Sequence, residues 1–197
     1  VSISMSHLTP ADLYSLEQYA KVRKEFRAEV MEHKRDRKVP VGPNATLYFE
    51  DRLTMQYQIQ EMLRIERIFE EDGIKDELDA YNPMIPDGSN LKATFMVEFA
   101  DIEERKVALA KLIGIEDKVW VQVAGHEPVF AIADEDLERE DASKTSSVHF
   151  LRFELTDAMV ADLKEGAGLA LGIDHANYGY RVEATPATRN SLTADLA

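Results

Sequence analysis

Between residues 93 and 184 one order of local patterns occurs twice, and that order limits the possible folds more than any other feature of the chain. "ATFMVEF" (93 to 99) alternates apolar and polar residues as a half-buried strand does. Asp101 followed by Glu104 makes a capping-box-like start to a helix that closes at Gly114. "KVWVQVAG" and "PVFAIAD" are then two strands joined through "GHEP". After the acidic stretch "DEDLERED" (134 to 141) the order returns: "SVHFLRFEL" as a strand, a helix from Thr156 to Gly166, then "GLALGID" and "YGYRVEA" as two strands with "HAN" in the turn. The units, about 93 to 133 and about 147 to 184, set Phe95, Val97 and Phe99 against His149, Leu151 and Phe153. Each places a histidine, His126 or His175, before its last strand. A structural duplication with a pseudo-twofold axis follows.

The first ninety residues have a different texture. Thr9 is a natural N-cap with Pro10 in the first helical position, and helix is predicted to about Arg37, with Leu16, Tyr19, Phe26, Val30 and His33 on one stripe. "VPVGP" cannot continue it, and "ATLYFED" reads as a short strand with Leu47 and Phe49 on one face. A second helix is predicted from about Leu53 to Glu71, stopping before Gly73. "AYNPMIPDGSN" (80 to 90) is a turn region and a boundary. The expected fold class is α+β, with long N-terminal helices packed on a mainly antiparallel sheet built from the two strand-helix-strand-strand units. The expected organisation is one compact domain: a helical region over 8–90, the duplicated region over 91–185, and a tail over 186–197. "VSIS" before Met5 is set aside as a remnant or a longer reading frame.

The helix "QYQIQEMLRIERIFEE" (56 to 71) places charges inside apolar stripes. At 100° per residue, Met55, Ile59, Met62 and Phe69 form one stripe interrupted by Glu66. Leu53, Tyr57 and Ile68 form another that includes Glu61 and Arg64. Two apolar sides mean burial on two sides, and buried charges must be paired. Glu61, Arg64 and Glu66 are therefore expected as a structural polar network, with Glu66 paired to the basic part of the first helix. The functional alternative is a carboxylate-rich metal site of Glu50, Glu61, Glu66 and His33, but this helix lacks the Glu-x-x-His spacing of such bundles. A second candidate metal set is His126, His175 and Asp174, with Tyr178 close by in "DHANY", since imidazoles and a carboxylate suit non-haem iron or zinc. His149 shares a strand face with Leu151, Phe153 and Leu155 and is expected as a satisfied core histidine. "GAGLALG" (166 to 172) follows a helix and precedes a strand, the reverse of a dinucleotide-binding loop.

Charge and composition then exclude whole classes. The chain has 197 residues and no cysteine, so disulfides, thiolate zinc sites, iron–sulfur ligation and cysteine nucleophiles are absent. A net charge of −14 opposes nucleic-acid binding. No run of about 18 apolar residues suggests a membrane span, and a cytoplasmic location is expected. Residues 21 to 38 are the exception in charge, with eight Lys/Arg against four acids, so the rest sums to −18. That layout suits protein partners or self-association into a homo-oligomer. Arg35, Arg37 and Lys38 are anion-binding candidates within it.

"GPNATLYFEDRLTMQYQIQEMLRIERI", "ELDAYNPMIPDGSNLKATFMVEF", "SSVHFLRFEL" and "DHANY" resemble the bacterial domain of unknown function 3501 family, over about Leu8 to Leu196. The resemblance implies no catalytic residues. Genes of the family are often found beside those for rubrerythrin and an iron–sulfur oxidoreductase, which implies a role in peroxide defence or electron-transfer metabolism. The functional expectation is an accessory or binding protein acting on redox partners, with no cofactor required. The alternative is a His/carboxylate protein or enzyme of iron or zinc.

Overall fold

The computed structural model describes residues 6–197, so the expectation for "VSIS" lies outside the described residues. Thr9 and Asp12 cap only a short 3-10 turn over Pro10–Asp12. The first helix starts later because Ser15 and Gln18 form their own reciprocal capping box, Gln18 N donating to Ser15 Oγ at 3.2 Å and Ser15 N to Gln18 Oε1 at 3.0 Å. This helix, α1, spans Leu16–Arg35 and buries Tyr19, Phe26 and Val30. The chain then turns into β1 (Lys38–Pro40) and β2 (Ala45–Glu50).

The second helix divides in two. α2 spans Arg52–Glu66, capped by Asp51 and closed by Arg67 in the left-handed conformation at φ 54°. α3 spans Glu71–Tyr81 and runs straight through Gly73, the residue expected to end a helix. A Cβ at Gly73 would stand 2.7 Å from Ile68 Cγ2, so glycine is needed there for close approach. α2 is buried on two sides, though its stripes are rearranged: Leu53 and Tyr57 pack with Tyr19, Phe26 and Val30 of α1, while Met55 and Ile59 pack with Leu63, Leu78 and Ile85, and Ile68 joins this second group.

The remaining elements are β3 (Asn90–Val97), α4 (Ile102–Lys111), β4 (Val119–Val123), β5 (Val129–Phe130) and β6 (Ile132–Ala133). They are followed by β7 (Val148–Glu154), α5 (Asp157–Lys164), β8 (Leu169–His175), β9 (Tyr178–Glu183) and α6 (Pro186–Thr193). They build two antiparallel sheets, in the orders β1-β2-β3-β7-β6 and β5-β4-β8-β9, consistent with the α+β class expected. Each repeated unit is shared between both: β3 pairs with β7 in the first sheet and β4 with β8 in the second. This is the arrangement a twofold axis between the units would give. "PVFAIAD" breaks the symmetry. Its first half pairs with β4, Ala131 is buried between the sheets, and its second half pairs with β7.

The inward faces of the two sheets share one core, with Leu47, Phe49, Phe95, Leu151 and Phe153 from the first and Val119, Val121, Leu169, Leu171 and Ile173 from the second. Each such side chain contributes roughly 1.5–3 kcal/mol by leaving water. The segment expected as a tail is helix α6, and its Leu192 and Leu196 belong to this core. No helix among the described residues is long and apolar enough to cross a membrane.

Candidate metal centre

Of the three charges expected as a network on α2, one is engaged. Glu61 takes two hydrogen bonds from Arg23 of α1, Nε to Oε2 at 3.1 Å and NH2 to Oε1 at 2.8 Å, and one from the Tyr19 hydroxyl at 3.0 Å. The Arg23 bonds are the main cause holding its carboxyl below the usual range, with a further pull from the charge of Arg64. Arg64 and Glu66 themselves are exposed, and Phe69 is 73 % exposed. The expectation of a buried Glu66 is thus corrected: α2 stops at Glu66, so its last turn lies past the cover that α1 and α3 provide.

The anion-binding candidates also separate. Arg35 lies at the surface and pairs with Glu32 at 2.6 Å, and the Lys38 ammonium stands 5.8 Å from the centre of the Tyr48 ring. Arg37 is buried, 1 % exposed, with every donor satisfied: Nε to the Phe49 carbonyl, NH1 to the Ser191 carbonyl and hydroxyl, NH2 to the Glu50 carbonyl and to Asp195 Oδ2 at 2.5 Å. These three side chains form no common anion site. Around Arg37 the interior is densely charged. His33 Nε2 meets Asp51 Oδ2 at 2.5 Å, and burial raises the carboxyl of Glu50, which accepts from the Thr94 hydroxyl at 2.9 Å. Asp195 is pushed up to about 6, by burial first, against the pull of Arg37.

The set His126, His175 and Asp174 is not brought together. β4 and β8 are antiparallel, with Val119 opposite Ile173 and Val123 opposite Leu169, so turns that follow these strands lie at opposite ends of the sheet. At about 3.4 Å per residue that separates the two histidines by more than roughly 15 Å. Each has local partners: His126 Nε2 meets Asp162 Oδ2 at 2.6 Å, and His175 Nε2 donates to the Ile113 carbonyl at 2.8 Å while its Nδ1 accepts from Asn177 N at 3.0 Å. Asp174 accepts from Trp120 Nε1 at 3.0 Å, and the Tyr178 hydroxyl donates to the Val41 carbonyl at 2.5 Å.

The residues that do converge lie under the acidic loop. Where β6 ends, Asp134 adopts φ 53°, a left-handed conformation costing roughly 1 kcal/mol outside glycine, and this turns its carboxylate inward. Its Oδ1 accepts from Phe150 N and from Arg139 NH1, each at 3.0 Å, and its Oδ2 takes the Nδ1 proton of His149 at 2.6 Å. His149 is fully buried, as its strand face predicted, with Phe95 opposite it on β3. Its Nε2 faces the Thr145 hydroxyl at 2.9 Å, the Ser146 carbonyl at 3.0 Å and Glu116 Oε2 at 3.9 Å.

Glu116, in the turn before β4, is buried, and burial together with the hydrogen bond it shares with Glu140 pushes its carboxyl up to about 8. Burial also works against ionising Glu140, but hydrogen bonds from Glu116, the Gly114 amide and Thr145 outweigh it and hold this carboxyl below its usual range. The two neighbouring carboxyls are thus shifted in opposite directions, Glu116 up and Glu140 down, beside an imidazole. Ligand atoms of Glu116, Asp134 and His149 all lie within 4.8 Å of one another. Above them opens a cavity of about 510 Å³ lined almost wholly by carboxylates, with Arg139 among them.

Sequence reasoning missed Asp134 and Glu140 because it treated 134 to 141 as a joint between units, and Glu116 because it lies in the short connection between a helix and a strand, where an acid gives no periodic signal. A usable signal was present: the acidic run begins where one strand ends and closes just before the strand carrying His149.

Comparison with known proteins agrees with the fold but assigns no chemistry. No curated protein matches the chain. A crystal structure at 1.90 Å resolution of a novel protein of unknown function from Burkholderia pseudomallei K96243 is 54 % identical, superposes with a TM-score of 0.93, and covers 98 % of this chain and 100 % of its own. The model of the family described as protein of unknown function, DUF3501, matches residues 7–196, and the chain belongs to that family.

Proposed function

We propose that the protein binds a divalent transition metal, iron(II), manganese(II) or zinc, through His149 Nε2 and Glu116, with Asp134 as the outer carboxylate that orients the imidazole. The observation that carries this is the convergence of one imidazole and two carboxylates in a buried pocket. Two ligand atoms each about 2.1 Å from one ion stand about 3.4 Å apart at a tetrahedral angle, so His149 Nε2 and Glu116 Oε2, now 3.9 Å apart, would close by about half an ångström around it. Asp134 accepts from Nδ1, the outer carboxylate–imidazole contact that metal-binding histidines commonly have, and an ion on Nε2 would replace that atom's contacts with the Thr145 hydroxyl and the Ser146 carbonyl. An oxygen-rich set with one nitrogen favours borderline cations over copper(I). A cysteine-free chain can serve peroxide defence or electron-transfer metabolism through such a site but not through a thiol or a cluster.

Metal-free protein titrated with each ion by calorimetry is expected to bind one ion per chain. Ion at a hundredfold excess over Kd should add about 2.7 kcal/mol to unfolding stability. His149→Ala and Glu116→Gln should each weaken binding at least tenfold, while His175→Ala leaves it unchanged. Absence of saturable uptake of all three ions by folded wild-type protein would overturn the reading.

A further inference from the structure

A second cavity, of about 370 Å³, lies on the other side of the acidic loop, between the outer face of the first sheet and the end of α3. Tyr81, Met84 and Phe150 supply apolar and aromatic wall. Its charges do not cancel evenly. Each acid in the lining is matched: Asp79 by Lys75 at 2.9 Å, Glu135 by Arg152 at 2.8 Å, Asp136 by Arg139 at 2.6 Å. Both arginines are matched in turn, and Arg139 also stacks over the Phe150 ring at 4.6 Å. Lys92 is different. Its ammonium donates to the Pro83 carbonyl at 2.5 Å, and among the described residues it has no carboxylate at ion-pairing distance. Across the β3–β7 ladder it stands opposite Arg152, whose charge Glu135 and Glu154 already meet, and across the β2–β3 ladder opposite Glu50, whose carboxylate accepts from Thr94, so the Lys92 ammonium keeps no close anion of its own.

We propose that this cleft binds a small molecule with a flat apolar body and a carboxylate head, the body between Tyr81 and Phe150 and the head on Lys92. A half-buried cation with two unassigned N–H groups, at the end of an apolar slot, is the usual construction of a site for an amphiphilic anion. Burial lowers the affinity of Lys92 for its proton and the charge of Arg152 adds to this, while Asp87, Glu135 and Glu154 pull the other way without prevailing. An anionic head supplies what those carboxylates do not. The cleft shares Glu135, Asp136 and Arg139 with the cavity over the proposed metal centre, but its cation, Lys92, and its aromatic walls, Tyr81 and Phe150, line this cleft alone, so the proposal does not require a bound metal.

The test uses 2-naphthoate and its uncharged counterpart 2-naphthamide, each titrated into the full chain at neutral pH and followed by 1H–15N correlation spectra. Naphthoate is expected to saturate with shifts confined to 79–84, 92, 135–139 and 150–152, and to bind at least tenfold more tightly than naphthamide. Lys92→Met, which keeps the side-chain length, should bring the two ligands to within about twofold of each other. Equal binding of both by the wild type, shifts centred elsewhere, or an undiminished preference in Lys92→Met would each overturn the proposal. The comparison of the two ligands on the wild type needs no variant to fold.

Discussion

Arg37 uses all five guanidinium N–H groups inside the protein, and its partners come from β2 and from the far end of the chain. Asp195 is the one carboxylate it touches closely, and the two are joined at 2.5 Å with almost no water access. Because the folded-state value of Asp195 is raised, to about 6, its contribution to stability is fully present below the unfolded value and is lost as pH rises through about 6. Unfolding free energy of the wild type should therefore fall by roughly 2 to 3 kcal/mol between pH 4 and pH 6.5 relative to Asp195→Asn, in which that titration is gone. Denaturant titrations of both proteins across this range measure it, and parallel profiles would show that Arg37 keeps Asp195 ionised throughout. At this scale "KRDRK" identifies a basic cluster but not which cation turns inward. That choice is made by Asp195, 158 residues further along. The same limit applies to Glu61: its need for a partner was legible from the stripes of α2, whereas its pairing with Arg23 in place of Arg64 required the position of α1.

Elements were more legible than residues. Capping at Asp101 and Thr156, the strand alternation of β3 and β7, and the repeated order of units all appear in the structure, since each depends on periodicity within a few residues. The misread glycine is Gly73, which resembles a helix stop but lies inside α3, where Ile68 occupies the space a Cβ would need. Gly172 in β8, a segment correctly read as a strand, is also fixed by close packing. It faces Trp120 across the ladder, and a Cβ there would come within 2.1 Å of the indole ring. Gly172→Ala is expected to destabilise by about 1 to 3 kcal/mol, by overpacking, and to change the Trp120 emission as the ring is displaced from its hydrogen bond to Asp174. Unfolding curves and fluorescence spectra together test this. Unaltered emission with unaltered stability would mean that the indole can move aside without cost.

For the whole molecule, α6 closes the structure. It places Leu192 in the main core, and the four residues after it add Leu196 to that core, bring Asp195 to Arg37 and end with Ala197 N donating to the Gly88 carbonyl at 2.9 Å. Removing residues 186–197 is expected to cost more than about 5 kcal/mol, combining two lost apolar side chains with a buried cation left with Asp51, at 3.6 Å, as its counter-charge. Circular dichroism melts of the shortened chain should show either no cooperative transition or one lowered by more than 15 °C. A melt within a few degrees of the full-length protein would show that the sheets are stable without this helix. The sequence by itself determined the α+β class, the repeated strand-helix-strand-strand order, the burial of α2 on two sides, the core placement of His149 and the exclusion of thiol chemistry, because each follows from local periodicity or residue type. Only the tertiary structure decided that there are two sheets, that His126 and His175 lie at opposite ends of one of them, and that Glu116, Asp134 and Glu140 gather around His149. Those outcomes depend on strand order and register, which set side chains distant in sequence within hydrogen-bond reach, and no periodicity along the chain encodes them.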